Sequence, residues 1–295
     1  MKILLLGRDG QVGTALTSLL TPLGEIAAYG RAGADFTRPD DVERLVHREQ
    51  PAVIVNAAAY TAVDKAESEP EIATLVNATT PGRLAEVAAQ IGARLIHIST
   101  DYVFDGEKPA PYVEDDPTDP INVYGRSKRD GELAIAATAA DYLILRTSWV
   151  HSASHANFAA KILELAAQRD ELKVIDDQIG CPTSARLIAE VIGRIIELGD
   201  AGRPLAAGLY HLTTEGETSR YDYARFIIDE ARRRGAKLKA ERIRPVSTSE
   251  LPTPAPRPRN SHLSTHKLRT ALGQDLPGWR EDVLPTITTL VGAGA

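Results

Sequence analysis

The chain has 295 residues, a formal net charge of −6, 43% hydrophobic and 25% charged residues. That is the composition of a folded protein with length for one large or two modest domains, and its acidic balance excludes the electrostatic footprint of a nucleic-acid binder. No apolar run approaches the roughly 18 residues that span a bilayer, Gly7 cuts the run 3–6 before it reaches a signal-peptide core, and the single cysteine, Cys181, allows neither an internal disulfide nor a multi-thiolate metal site. The expectation is a cytoplasmic protein with a small-molecule partner, without nucleic acid or membrane.

Residues 2–6, 7–13 and 14–20 predict strand, glycine-rich loop and helix. Further strands are predicted at 25–29, 52–56, 94–99 and 142–146, with helices at 40–48, 70–90 and 124–137. Strands alternating with helices predict an α/β fold with a Rossmann-type, doubly wound parallel sheet. After Val150 the alternation weakens: a helix at 157–168, a strand at 172–175, a helix at 185–198, a strand at 208–213 and a helix at 221–234. The expected organisation is a dinucleotide-binding domain over 1–150 and a smaller mixed α/β substrate domain over 151–295, with some later segments returning to the main sheet. Residues 251–259 carry four prolines and must be extended, in the plainest reading a linker.

In an open parallel sheet, ligands sit beyond the carboxyl ends of the strands. Gly7, Gly10 and Gly13 follow the first strand at a spacing of three and three, which suits a pyrophosphate at a helix N-terminus. After the second strand, where an acid would take the ribose hydroxyls of NAD, stands Arg31, with Asp35 and Phe36 slightly later. Arg31 favours NADPH, and NADH stays open. Ser99, Thr100 and Asp101 end another strand, presenting a hydroxyl over the sheet edge. Of nine tyrosines only Tyr124 has a lysine, Lys128, four residues on, so one helical turn puts both on one side. Bringing a phenol of pKa about 10 near 7 needs about 4 kcal/mol, which an ammonium and a cationic nicotinamide could supply, making Tyr124 a general acid.

The glycine loop, Asn56-Ala57-Ala58-Ala59-Tyr60-Thr61-Ala62-Val63-Asp64-Lys65, Ser99-Thr100-Asp101-Tyr102-Val103-Phe104, the Tyr124 and Lys128 pair, and Arg146-Thr147-Ser148-Trp149 stand in an order that resembles the extended short-chain dehydrogenase/reductases. The likeness continues through Asp177-Gln178-Ile179-Gly180-Cys181-Pro182-Thr183, Gly208-Leu209-Tyr210-His211 and Arg257-Pro258-Arg259-Asn260-Ser261, and is strongest with the branch that acts on dTDP-linked 4-keto deoxysugars. The resemblance implies reduction of dTDP-4-dehydro-β-L-rhamnose to dTDP-L-rhamnose, the last step of dTDP-rhamnose synthesis for cell-surface polysaccharide. It implies Thr100, Tyr124 and Lys128 as the catalytic set, with Lys128 also holding the nicotinamide ribose and lowering the Tyr124 pKa. Thr100, Asp101 and Trp149 would bind substrate. Gln11, Val12, Asp35, Phe36, Ala59, Tyr60 and Thr61 would line the cofactor. The segment before Asn260 would belong to the substrate side, with Arg257 on the nucleotide diphosphate.

Some members form homodimers linked by magnesium through glutamates, one of them early in the first helix, where this chain has Ala15. An epimerase or dehydratase acting on another nucleotide sugar shares the fold and the Tyr/Lys pair. A catalytically silent regulatory subunit shares the fold, but the presence of Thr100, Tyr124 and Lys128 together opposes it. His151 with His155, and His262 with His266, have zinc-pair spacing without an accompanying acid motif, so no metal is expected there. The acidic run Glu114-Asp115-Asp116 reads as a solvated loop, and Cys181, with no base beside it, as packing.

Overall fold

Along the strand Lys2–Leu6 (β1), Ile3 and Leu5 enter one apolar core while Leu4 and Leu6 enter another. Alternation with both faces apolar places this strand inside a helix-covered sheet. In the computed structural model, which describes residues 1–293, β1 lies between Glu25–Tyr29 (β2) and Val53–Asn56 (β3). Gly294 and Ala295, the last two residues of the expected 151–295 half, lie outside the described residues. Beyond β3 come Arg94–Thr100 (β4), Tyr142–Thr147 (β5) and, at the edge, the strand Gly208–His211, giving six parallel strands. The helices Gln11–Leu20 and Ala185–Asp200 cover one face. Pro39–Glu49, Thr80–Ile91 and Val123–Ala136 cover the other. Strand order reverses between β1 and β3, and that crevice is where a doubly wound sheet takes a dinucleotide.

The later residues add a third core around Tyr223 and Trp279, built by the helices Phe158–Gln168, Arg220–Arg233 and Trp279–Ala293. Beside it Glu171–Ile175 pairs in parallel with Arg242–Val246, a strand not foreseen because Arg242, Arg244 and Pro245 break its apolar pattern. Nor is the predicted helix 70–90 uniform. It runs Pro70–Thr74, widens to a π-helix at Leu75–Thr79, and resumes as Thr80–Ile91. The proline-rich stretch is extended as expected, yet it is no free linker. Ala255 is fully buried, Asn122 Nδ2 donates to the Pro256 carbonyl at 2.9 Å, and Arg257 clasps Asp64. Among the described residues no helix is long and apolar enough to cross a membrane.

Candidate active site

The glycines are set by close approaches. Gly7 has φ +85°, and a Cβ on it would lie 2.5 Å from Ala58 N, at the junction of β1 and β3. A Cβ on Gly13 would lie 2.0 Å from the Gly7 carbonyl, so side chains at either position would push the first helix off its loop. Gly10 differs: its nearest obstacle is 3.5 Å away, and it caps the first helix without a side-chain hydrogen bond. The first-turn N–H groups are therefore left for an anion, which is the fit a dinucleotide pyrophosphate requires.

Two cavities meet at this turn, sharing Gly10, Ala57 and Ala59 in their walls. The first, about 410 Å³, is lined by Gly7, Arg31, Asp35, Phe36 and Tyr60 among others. Arg31 is exposed there and makes no hydrogen bond or ion pair among the described residues. Asp35 is turned onto Thr37, whose N–H and hydroxyl it accepts at 3.0 and 2.8 Å, and the Thr37 backbone hydrogen bond holds its carboxyl below the usual range. Phe36 is 4% exposed and belongs to the second core, so it supplies wall rather than polar contact.

The second cavity, about 660 Å³, brings together Gln11, Val12, Thr61, Thr100, Asp101, Tyr124, Lys128 and Trp149. Their meeting depends on Gly125, where a Cβ would lie 2.1 Å from the Tyr102 carbonyl. The helix Val123–Ala136, capped by Asn122 Oδ1 accepting from Gly125 N at 2.7 Å, thus packs directly on the turn that carries Thr100 and Asp101. Thr100 donates to Asp101 Oδ1 at 3.0 Å and Ser148 to Oδ2 at 3.1 Å, while burial raises the Asp101 pKa. Trp149 adopts φ +44°, a left-handed conformation costing an ordinary residue about 1–3 kcal/mol. Its indole fits because Gly180 has no side chain; a Cβ there would lie 2.5 Å from the ring.

One expectation needs correction. The Tyr124 phenol is raised, not lowered: burial dominates, Thr100 opposes it by a hydrogen bond, and Asp101 and Tyr102 add to it. Lys128 plays no part in that balance, because its amine sits on the Ile98 carbonyl at 2.7 Å and against His97 Nε2 at 3.1 Å. Nor does Arg257 line either cavity. Its guanidinium grips Asp64, with Nη1 to Oδ1 at 2.5 Å and Nη2 to Oδ2 at 2.9 Å, so the diphosphate role expected of it meets a partner already in place. Gly13 stands behind the loop and lines neither cavity, acting through packing alone.

The arginine that does face the second cavity is Arg220, which the sequence reading missed. Its guanidinium carbon stacks 3.5 Å from the Trp149 ring centroid and 5.0 Å from that of Phe158, with no ion pair or side-chain hydrogen bond among the described residues. Burial lowers its pKa. Asn77, in the π-helix, was also missed. It accepts from Tyr60 N at 2.8 Å and donates to the Tyr60 carbonyl and to Ser127 Oγ, tying the cofactor loop to the catalytic helix. A π-turn inserted at such a joint leaves no trace in hydrophobic periodicity.

The remaining candidates make structural contacts, although His151 and His155 also line the second cavity. His151 is buried, with Nδ1 3.1 Å from Thr286 Oγ1 and Nε2 3.5 Å from Asp282. Glu114 is not merely solvated, since it accepts from His211 N at 2.9 Å. Cys181 is buried and its thiol pushed up to about 12. Ala15 packs against the first core and offers no ligand atom at that position.

The RmlD substrate binding domain family matches residues 1–291. A dTDP-4-dehydrorhamnose reductase of Escherichia coli is 46% identical over 287 residues, 96% of either chain. Among solved structures, a dTDP-4-dehydrorhamnose reductase of Bacillus anthracis in complex with NADP has TM-score 0.88 and 33% identity over 97% of this chain and 98% of that one. A second, from Clostridium acetobutylicum, has TM-score 0.90 and 34% identity over 98% and 99%. Matched by the family over residues 1–291 and by these relatives over 96–98% of its length, the chain belongs to the RmlD substrate binding domain family.

Proposed function

We propose that the protein is an NADPH-dependent dTDP-4-dehydrorhamnose reductase, reducing the 4-keto group of dTDP-4-dehydro-β-L-rhamnose to give dTDP-L-rhamnose. The observation that carries this reading is the pair of cavities that share Gly10, Ala57 and Ala59: one of about 410 Å³ runs by Arg31, and one of about 660 Å³ holds Lys128, Tyr124, Thr100 and Trp149. The Bacillus anthracis reductase is crystallised with NADP, and the exposed, unpaired Arg31 suits a 2′-phosphate; NADH is the alternative cofactor.

When bound, the cofactor supplies the hydride equivalent for the sugar carbonyl carbon. The protein supplies the rest. Tyr124, held protonated by burial, is a loaded acid at neutral pH and gives its proton to the carbonyl oxygen. Thr100, beside the phenol, orients that oxygen, and Lys128 holds the nicotinamide ribose. Trp149 forms an apolar wall for the sugar, and Asp101, buried under Thr100 and Ser148, shapes the same pocket. Arg220, stacked on Trp149 and otherwise unpaired, takes the diphosphate in preference to Arg257. The division is a dinucleotide domain over 1–150, to which the helix Ala185–Asp200 and the strand Gly208–His211 return, and a substrate domain from the rest of 151 onwards, with Gln11 accepting from Ser152 Oγ at 2.9 Å across the boundary. A cytoplasmic location and a homodimer belong to this reading; Leu133, 60% exposed on the catalytic helix, is apolar surface that a dimer would cover.

The test is stoichiometry. With dTDP-4-dehydrorhamnose generated in place, one NADPH should be oxidised per sugar reduced. Conversion of a nucleotide sugar without net NADPH oxidation would instead identify an epimerase or dehydratase, and no conversion a silent subunit.

A further inference from the structure

The amine of Lys128 ends a buried chain of hydrogen bonds, and the chain has a direction. It begins at the backbone, where Ala58 N–H donates to Asn56 Oδ1 at 3.1 Å. That contact fixes the amide, so Asn56 Nδ2 is the donor towards His97 Nδ1 at 2.9 Å. His97 is fully buried, and burial drives its pKa well down, leaving a neutral ring with a single N–H. Since Nδ1 accepts, that hydrogen is on Nε2, and Nε2 faces Lys128 Nζ at 3.1 Å. Lys128 Nζ itself donates to the Ile98 carbonyl at 2.7 Å. An ammonium has no lone pair and would meet the Nε2–H donor to donor. An amine accepts it.

We propose that Asn56 and His97 are positioning residues for Lys128: the Asn56 amide locks His97 in its Nε2–H tautomer, and that N–H holds Lys128 as a neutral amine on the Ile98 carbonyl while the cofactor site is empty. The inference rests on the reading of Lys128 as the cofactor-binding lysine. The other groups bearing on Lys128 do not reverse it. Glu132, one turn further along the helix, favours the ammonium, but its carboxylate is gripped by Arg146 at 2.9 and 2.6 Å and by Ser99. Tyr124, one turn earlier, is neutral, and the buried Asp101 is pushed towards its neutral form. Burial lowers Lys128 to about 8, the same direction as the His97 N–H, so the neutral amine is the main form of the cofactor-free protein above that pH.

The consequence, at pH above that value, is a proton taken from solvent by Lys128 as it meets the ribose hydroxyls and the phosphate field. A lysine whose pKa is higher in the complex than in the free protein binds its ligand more weakly as pH rises through the free value. NADPH affinity should therefore fall over that range.

The tautomer can be read directly by ¹⁵N NMR of the cofactor-free protein labelled at histidine and lysine. The expected spectrum has the protonated-type nitrogen of His97 at Nε2, the unprotonated type at Nδ1, and a Lys128 amine titrating well below ordinary lysines. A protonated Nδ1, or a Lys128 that titrates with the surface lysines, would overturn the proposal. A second arm follows NADPH binding by fluorescence across pH in His97→Asn, which keeps a partner at the Nδ1 position and removes the N–H facing Lys128. The alkaline fall in affinity should move up by about one pH unit, or about tenfold in affinity on that limb. A downward move would show His97 accepting from an ammonium, and an unmoved limb a merely structural histidine; either result overturns the assignment. The NMR arm needs neither cofactor nor substrate, so its outcome is separable from that of the reductase reading.

Discussion

Around the 410 Å³ cavity the charged groups stand in water, with Arg31 exposed and Lys65 paired to Glu69 at its rim. Around the 660 Å³ cavity Thr100, Asp101 and Lys128 are 6%, 2% and 1% exposed. Water competes for every contact at the first, so charge there tunes which cofactor is preferred. At the second, burial decides protonation: it keeps the phenol loaded and drives the lysine pKa down. Removing one buried partner leaves another unpaired, which is the costlier outcome.

The contrast is broken most severely at Tyr124. Tyr124→Phe removes the proton donor and little else, and kcat should fall about 100- to 10,000-fold with NADPH affinity unchanged. Near-normal turnover would show that the acid is elsewhere. Next comes Arg220→Ala, which takes the unpaired cation from the buried cavity. A charge-assisted contact is worth about 1.5–3 kcal/mol, so kcat/KM for the sugar nucleotide should fall about 10- to 150-fold while cofactor affinity holds. A loss confined to NADPH binding would put Arg220 on the wrong ligand.

At the open end the effects are smaller. Arg31→Asp should move preference from NADPH towards NADH by about tenfold, the lower limit for a charged contact, because water screens it. Equal preference before and after the change would mean that Arg31 only faces solvent. The smallest effect is expected at Arg257→Ala, which breaks a partly exposed pair with Asp64; about 1 kcal/mol, or roughly fivefold in KM, is the upper range for such a pair. A fall in kcat/KM larger than that of Arg220→Ala would restore Arg257 as the diphosphate ligand.

What could be read from the sequence was whatever a short stretch of backbone settles alone. Gly7 and Gly13 are glycines because neighbouring backbone lies within 2.5 Å of where a Cβ would be, and their spacing survives as a motif. Tyr124 and Lys128 share a side by one helical turn, and short apolar runs alternating with helical stretches point to the parallel sheet. Arg220 could not be found that way, being one of 34 basic residues until folding lays it on Trp149. Arg257 stands in a legible motif, but its partner is 193 residues away. His97 lies inside an apolar strand and reads as core; its role appears only when Asn56 on the neighbouring strand meets one ring nitrogen and Lys128 the other. The phenol was misjudged for the related reason that burial, not the adjacent lysine, dominates its environment.

The central claim is hydride delivery to the sugar in the cavity around Tyr124, and it is tested most directly by following the label from NADPH deuterated at the transferable nicotinamide position. The protein should place one deuterium on C4 of the sugar in each dTDP-rhamnose formed, and Tyr124→Phe should slow that transfer without changing where the deuterium arrives. A converted sugar without deuterium, with the label still on the cofactor, would contradict the account.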